Sequence, residues 1–147
     1  MYIQKEHYLN IEYKLNPNIT TQDFIEVLKN STLGERRPID DLETIQGMLE
    51  NSNLIVTASK DNKIIGIARA ITDFHYCCYL SDLAVDKQYQ KNGIGRELIS
   101  KVQEQLNDKC KIILLSAPDA TGYYPKIGFS KHNSAWTLPK KQYKGTS

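Results

Sequence analysis

The chain has 147 residues and a formal net charge of only +2, which excludes the strongly basic footprint of a nucleic-acid binder. An apolar share of 40% and a charged share of 24% fit one globular domain with a real core, and no apolar run approaches the roughly 20 residues that span a bilayer. The first residues, Met1-Tyr-Ile-Gln-Lys-Glu-His-Tyr8, lack the apolar region of a secretory leader, so the expected compartment is the cytoplasm, with neither nucleic acid nor membrane as partner.

No repeat, low-complexity segment or linker interrupts the chain, and a single domain over 1–147 is expected. Leu9 to Leu15 alternates apolar and polar residues, as a half-buried strand does. Thr20 or Thr21 then caps a helix carrying Phe24, Ile25, Val27 and Leu28, a loop runs from Gly34 to Pro38, and Asp40 or Asp41 caps a second helix with Leu42, Ile45, Met48 and Leu49. Leu54–Ala58 and Ile64–Ala68 flank the turn pair Asp61-Asn62 and predict a hairpin. A strand from Tyr79 to Val85 follows, then a helix with Ile94, Leu98, Ile99, Val102 and Leu106 on one stripe. Ile112 to Leu115 is short and wholly apolar, as a strand covered on both faces would be. A short helical piece at 119–124 and one or two strands between Phe129 and Leu138 complete the order β-α-α-β-β-β-α-β-α-β, a mixed α/β architecture.

Cys77, Cys78 and Cys110 lack the spaced pairs of a zinc site, and no metal is expected. Adjacent Cys77 and Cys78 should point to opposite sides of a strand, as small reduced residues.

The richest stretch is Leu80 to Ile99: a buried strand, a turn bearing Gly93 and Gly95, and an amphipathic helix. Glycines at a strand-to-helix junction let backbone N–H groups approach a phosphate at the helix N-terminus. A phosphate loop of the Gly-Lys-Ser/Thr type is excluded, because Arg96 and Glu97 follow Gly95. A dinucleotide fingerprint lacks its third glycine, the position being Leu98, and should open a first βαβ unit rather than lie past mid-chain. A plain strand-to-helix turn remains the bland alternative.

The company of this turn is more specific. Gln90-Lys-Asn-Gly-Ile-Gly95 resembles the Gln/Arg-x-x-Gly-x-Gly/Ala signature of the GCN5-related N-acetyltransferases (GNAT). About 25 residues on, Ala120-Thr-Gly-Tyr-Tyr-Pro-Lys-Ile-Gly-Phe129 resembles the second signature of that family, Ala-x-x-Phe/Tyr-Tyr-x-x-x-Gly-Phe. The resemblance covers essentially the whole chain, the helices before Leu54 matching in type only. It implies a mixed sheet flanked by helices in which two parallel strands splay around acetyl-coenzyme A. It also implies pantetheine contacts along Leu83, Ala84 and Val85, and a pyrophosphate on the amides of Gln90, Lys91, Asn92, Gly93, Ile94, Gly95 and Arg96. Tyr124 occupies the general-acid position of the family, a phenol that would protonate the departing thiolate; a packing aromatic is the alternative. The glutamate that some members use as general base has no counterpart. Asp82 is the nearest carboxylate, with His75 second, and each has a bland reading as a loop or surface residue. Two departures stand out: Ala117 where many members carry asparagine, and Pro125 directly after Tyr124.

The loop between the first two helices borders the acceptor in this family. Its Arg36 and Arg37, with Arg69 on a central strand, present planar forks suited to a carboxylate or phosphate, or else they solvate a surface or pair with Asp40, Asp41 or Asp73. The expected function is therefore acetyl-coenzyme-A-dependent acetylation of a small-molecule amine, with an amino acid or related anionic metabolite in view. A silent acetyl-coenzyme A sensor or interaction domain and a protein or peptide N-acetyltransferase are the alternatives. Exposed strand edges near the C-terminus leave a homodimer open.

Overall fold

The computed structural model describes residues 10–142. Two compact units divide the chain after Leu115, and no helix among the described residues is long and apolar enough to cross a membrane.

In the first unit β1 (Glu12–Leu15) is shorter than its alternation predicts, and Leu9 lies outside the described residues. Helix α1 (Thr21–Asn30) starts at a reciprocal cap: Thr20 Oγ1 accepts from Asp23 N–H at 3.0 Å, and the Asp23 carboxylate accepts from Thr20 N–H at 3.5 Å. It buries Phe24, Ile25, Val27 and Leu28. The stretch read as loop is partly a 3-10 turn, Thr32–Arg36, opened by Ser31, whose hydroxyl accepts from Leu33 N–H. Gly34 is needed there, because a Cβ would stand 2.7 Å from the Leu28 carbonyl oxygen. Helix α2 (Leu42–Glu50) is capped by Asp41, which accepts from Thr44 N–H at 3.1 Å.

Strands β2 (Leu54–Lys60) and β3 (Lys63–Thr72) form the predicted hairpin. Asp61 and Asn62 both take positive φ, 50° and 64°, the pairing that matches the twist of a two-residue hairpin. β4 (Cys77–Val85) and β5 (Lys111–Ile113) complete a sheet of order β1-β2-β3-β4-β5, antiparallel except for the parallel β4–β5 pair. Helices α1 and α2 cover one face over Ile55, Ile67 and Ala84. Helix α3 (Ile94–Glu104) covers the other, ending short of the expected Leu106. Its approach is close at Gly66, where a Cβ would lie 3.2 Å from Leu98 Cδ1 and 3.3 Å from Ile94 Cγ2.

β5 departs from expectation. It lies at the sheet edge, with Ile113 49% and Leu115 51% exposed, because only Cys77–Tyr79 of β4 pair with it and no described strand follows on its outer side. The strands expected between Phe129 and Leu138 are likewise absent. His132 Nδ1 accepts from Ser134 N–H at 3.2 Å, turning the chain in the middle of that stretch.

The second unit holds a 3-10 turn, Pro118–Ala120, and the one-turn helix α4 (Tyr123–Lys126). Pro125 is tolerated inside that first turn, where its missing N–H has no helical partner. Gly128 N–H donates to Pro125 O and Phe129 N–H to Tyr124 O, with Gly128 at φ 102°. This left-handed glycine cap stops the helix after one turn.

Candidate active site

β3 pairs with β4 from Cys78 to Val85, whereas β5 pairs only with Cys77–Tyr79. The parallel pairing stops after Tyr79, where β5 ends at Ile113, and no described strand covers the second side of β4 from Leu80 to Val85. Ala84 is buried, while Leu83 and Val85 are half-buried.

The chain leaves this edge through a braced turn. Asp86 N–H donates to Ile65 O at 2.8 Å, and its carboxylate accepts from Gln88 N–H at 2.9 Å. Gln90 Nε2 donates to Val85 O at 3.1 Å, while Asn92 Nδ2 donates to Tyr89 O and Gln90 O at 3.0 and 3.2 Å. The side chains of Gln90 and Asn92 thus shape the turn. Lys91 and Gly93 take left-handed φ of 66° and 78°. Gly93 is the N-cap of α3 and brings no side chain to its first amides, which have no carbonyl behind them in the helix. Lys91, Asn92, Gly93 and Arg96 are exposed, Gly95 is half-buried and Ile94 turns into the core. An anion meets unpartnered amides, the positive end of an 11-residue helix and exposed cations here.

Asp82, Arg37 and Arg69 come together, in an arrangement the sequence reading missed. Asp82 is 1% and Arg69 4% exposed. Asp82 Oδ1 accepts from Arg37 Nε at 2.6 Å, and Oδ2 accepts from Arg69 Nε at 2.5 Å. Arg37 Nη2 also donates to Ser81 O at 2.7 Å, and Arg69 Nη2 to Ser81 Oγ at 2.9 Å. Arg69 Nη1 reaches Ser52 Oγ at 2.9 Å and Met48 O at 3.3 Å, in the last turn of α2 and just beyond it. The forks expected to be free for an acceptor at Arg37 and Arg69 are therefore occupied, and both oxygens of Asp82 already hold cations. Arg36 alone of the three arginines is exposed. Neither charge pattern nor periodicity signals this cluster; an arginine inside an apolar strand was its only mark.

Tyr124 lies on α4 in the second unit, half-buried, its ring edge-to-face with Phe129 at 5.3 Å. His75 sits in the β3–β4 loop, exposed, its Nδ1 3.1 Å from Asn107 Nδ2. Cys77 is exposed and Cys78 buried, on opposite sides as expected. Desolvation, reinforced by the Asp73 carboxylate, holds the Cys77 thiol above its ordinary value, and desolvation pushes Cys78 up too.

With this geometry in view, the relatives are informative. The Acetyltransferase (GNAT) domain family matches residues 29–137. The uncharacterized N-acetyltransferase ycf52 of Pyropia yezoensis is 29% identical over 133 residues, covering 86% of this chain and 74% of that protein. Two solved structures share the fold. A GNAT family acetyltransferase from Streptococcus pneumoniae TIGR4 has a TM-score of 0.70 at 20% identity, covering 87% of this chain and 98% of that one. The aminoglycoside N-acetyltransferase AAC(6')-Iy in complex with CoA has a TM-score of 0.69 at 18% identity, covering 90% and 95%. A mixed sheet whose parallel pairing stops short of a glycine-started helix is thus found in a chain matched by this domain over most of its length: the protein belongs to the GNAT family and is an acetyltransferase.

Proposed function

We propose that the enzyme transfers an acetyl group from acetyl-coenzyme A to the primary amine of a small molecule, by direct attack in a ternary complex. The observation that carries this reading is the uncovered edge of β4 running straight into the amide-lined turn before α3. Leu83, Ala84 and Val85 offer backbone groups to which an amide-bearing arm adds as a strand would. The amides from Gln90 through Arg96 then favour a pyrophosphate, the helix dipole adding about 0.3–1 kcal/mol. One chain of amides ending in phosphates fits both halves, and a neighbour of the same fold was solved with CoA.

Bound acetyl-coenzyme A supplies the activated acetyl thioester. A backbone N–H of the uncovered stretch polarises its carbonyl, as an oxyanion hole does. Tyr124, by its place in the second signature, is the group that donates a proton to the leaving sulfur. The raised thiols of Cys77 and Cys78 favour direct attack over a covalent route, because the thiolate is scarce at neutral pH. This reading assigns Asp82 no base role, since both of its oxygens accept from guanidinium groups. Arg36 remains exposed for an anionic group on the acceptor, and the aminoglycoside enzyme of the same fold supports a small-molecule acceptor.

The test is free-thiol release from acetyl-coenzyme A against amino acids, polyamines, aminoglycosides and lysine peptides. Turnover on small amines is expected. In Tyr124→Phe, turnover should drop by roughly 10²–10⁴-fold while acetyl-coenzyme A binding holds. Turnover confined to peptides would replace the small-molecule acceptor with a protein one. Binding without any turnover would make the chain a sensor.

A further inference from the structure

We propose that Arg37, Asp82 and Arg69 form a clamp that fixes the β-bulge at Ser81 and so aims the uncovered edge of β4; the three are positioning residues for acetyl transfer. The clamp is argued from geometry alone, and only what the edge carries rests on the function proposed above.

The pairing of β3 with β4 runs Arg69↔Asp82 and then Ala70↔Leu80, which leaves Ser81 as an extra residue. A bulge of this kind bends its strand and redirects the backbone groups beyond it. Its position is telling: Ser81 lies two residues after the last β4 residue that β5 covers, Tyr79, where the edge has just become free.

Both polar handles of Ser81 are held. Arg37 Nη2 donates to its carbonyl at 2.7 Å and Arg69 Nη2 to its hydroxyl at 2.9 Å. The next residue, Asp82, bridges the same two guanidinium groups through its two oxygens. The cations are anchored in turn, Arg69 to Ser52 Oγ and Met48 O, and Arg37 to Arg36 O at 2.9 Å. Four segments therefore converge on one irregular residue: the turn after α1, the end of α2, β3 and β4. Planar forks fix direction where apolar packing would fix only distance. Burying three charges for stability alone is a poor arrangement, since well-packed apolar residues commonly do as well or better. Control over the direction in which β4 leaves the bulge accounts for the arrangement.

Arg37 is the side chain to alter, because its side chain is 21% exposed whereas those of Arg69 and Asp82 are at 5% and 0%. In the full chain, Arg37→Gln and Arg37→Lys are compared with wild type by amide hydrogen exchange, by calorimetric acetyl-coenzyme A binding, and by kcat on an amine that wild type uses. Exchange at the amides of residues 81–83 should quicken by about tenfold or more in both variants, with α3 unchanged. In both, kcat should fall by about tenfold to a hundredfold, with acetyl-coenzyme A affinity within about threefold. Unchanged exchange overturns the clamp; combined with a lowered kcat, it would mean that Arg37 acts on the acceptor itself. Full kcat in Arg37→Lys also overturns it, since charge without the fork would then suffice. If wild type acetylates no amine, the function proposed above fails, and exchange alone decides the clamp.

Discussion

Replacing Asp82 by asparagine keeps the shape of the side chain and removes its charge. Both Asp82 oxygens accept from guanidinium groups, at 2.6 and 2.5 Å, and its side chain is 0% exposed. At an effective dielectric constant near 20, each attraction is worth about 4 kcal/mol across 4 Å. Against these losses stand the desolvation cost the carboxylate no longer bears and the freedom of Arg37, 21% exposed, to turn toward water. Arg69, at 5%, has no such exit, and the asparagine amide must point two donors at guanidinium donors. Breaking a buried pair by removing one partner costs about 3–5 kcal/mol; the freedom of Arg37 places this case near 3. With a urea m-value of about 1–3 kcal/mol/M, the midpoint should drop by roughly 1–3 M, and Tm by about 6–12 °C for a chain of this size. Urea unfolding followed by circular dichroism reads this directly. A midpoint within about 0.3 M of wild type at unchanged m would refute the buried-charge argument. A further check is the double variant Arg69→Met/Asp82→Leu, which should cost clearly less than the sum of its two single changes.

Other perturbations test separate parts. Gly93→Ala meets no atom within 4 Å, so its cost is the backbone strain of φ 78°, roughly 1–2 kcal/mol; calorimetry should show weaker coenzyme A binding, and unchanged affinity would remove Gly93 from the phosphate site. Gly34→Ala drives a Cβ to 2.7 Å from the Leu28 carbonyl oxygen and should lose about 1–3 kcal/mol in urea, unless the 3-10 turn is free to move, which a wild-type midpoint would reveal. Asp73 accepts from the N–H groups of Tyr76, Cys77 and His75, which hold its carboxyl at about 2 against an ordinary 3.8. A carboxyl depressed in the folded state stabilises above its unfolded value and loses that support as pH falls through about 2. Its carbon shift should therefore titrate near 2, and a midpoint at 3.8 would contradict the turn geometry.

Features set by local chemistry were legible in the sequence. Thr20 and Asp41 cap helices because a short oxygen-bearing side chain reaches an amide two or three residues on, and Asp61-Asn62 tolerate the left-handed conformations of a tight hairpin. The second signature has a physical content of its own: Gly128 supplies the left-handed cap of α4 and Phe129 folds back on Tyr124. What escaped the sequence depends on register. Arg37 and Arg69 lie 45 and 13 residues from Asp82, separations with no periodic trace, and the extra residue at Ser81 brings Asp82 opposite Arg69 in a way that simple alternation does not foretell. The apolar residues between Phe129 and Leu138 read as strand, but a strand also needs a partner edge, and the turn at His132–Ser134 interrupts the run.

The side of β4 that no described strand covers has a consequence for self-association. A row of free N–H and C=O groups is a template on which another chain can polymerise. Here the template is broken by the bulge: a flat intruding strand that pairs with the regular residues after Ser81 falls out of step on crossing it, and every side chain changes face. A long strand is therefore expected to pair less readily along this edge than a short one. Loss of the bulge would be expected to make this edge aggregation-prone.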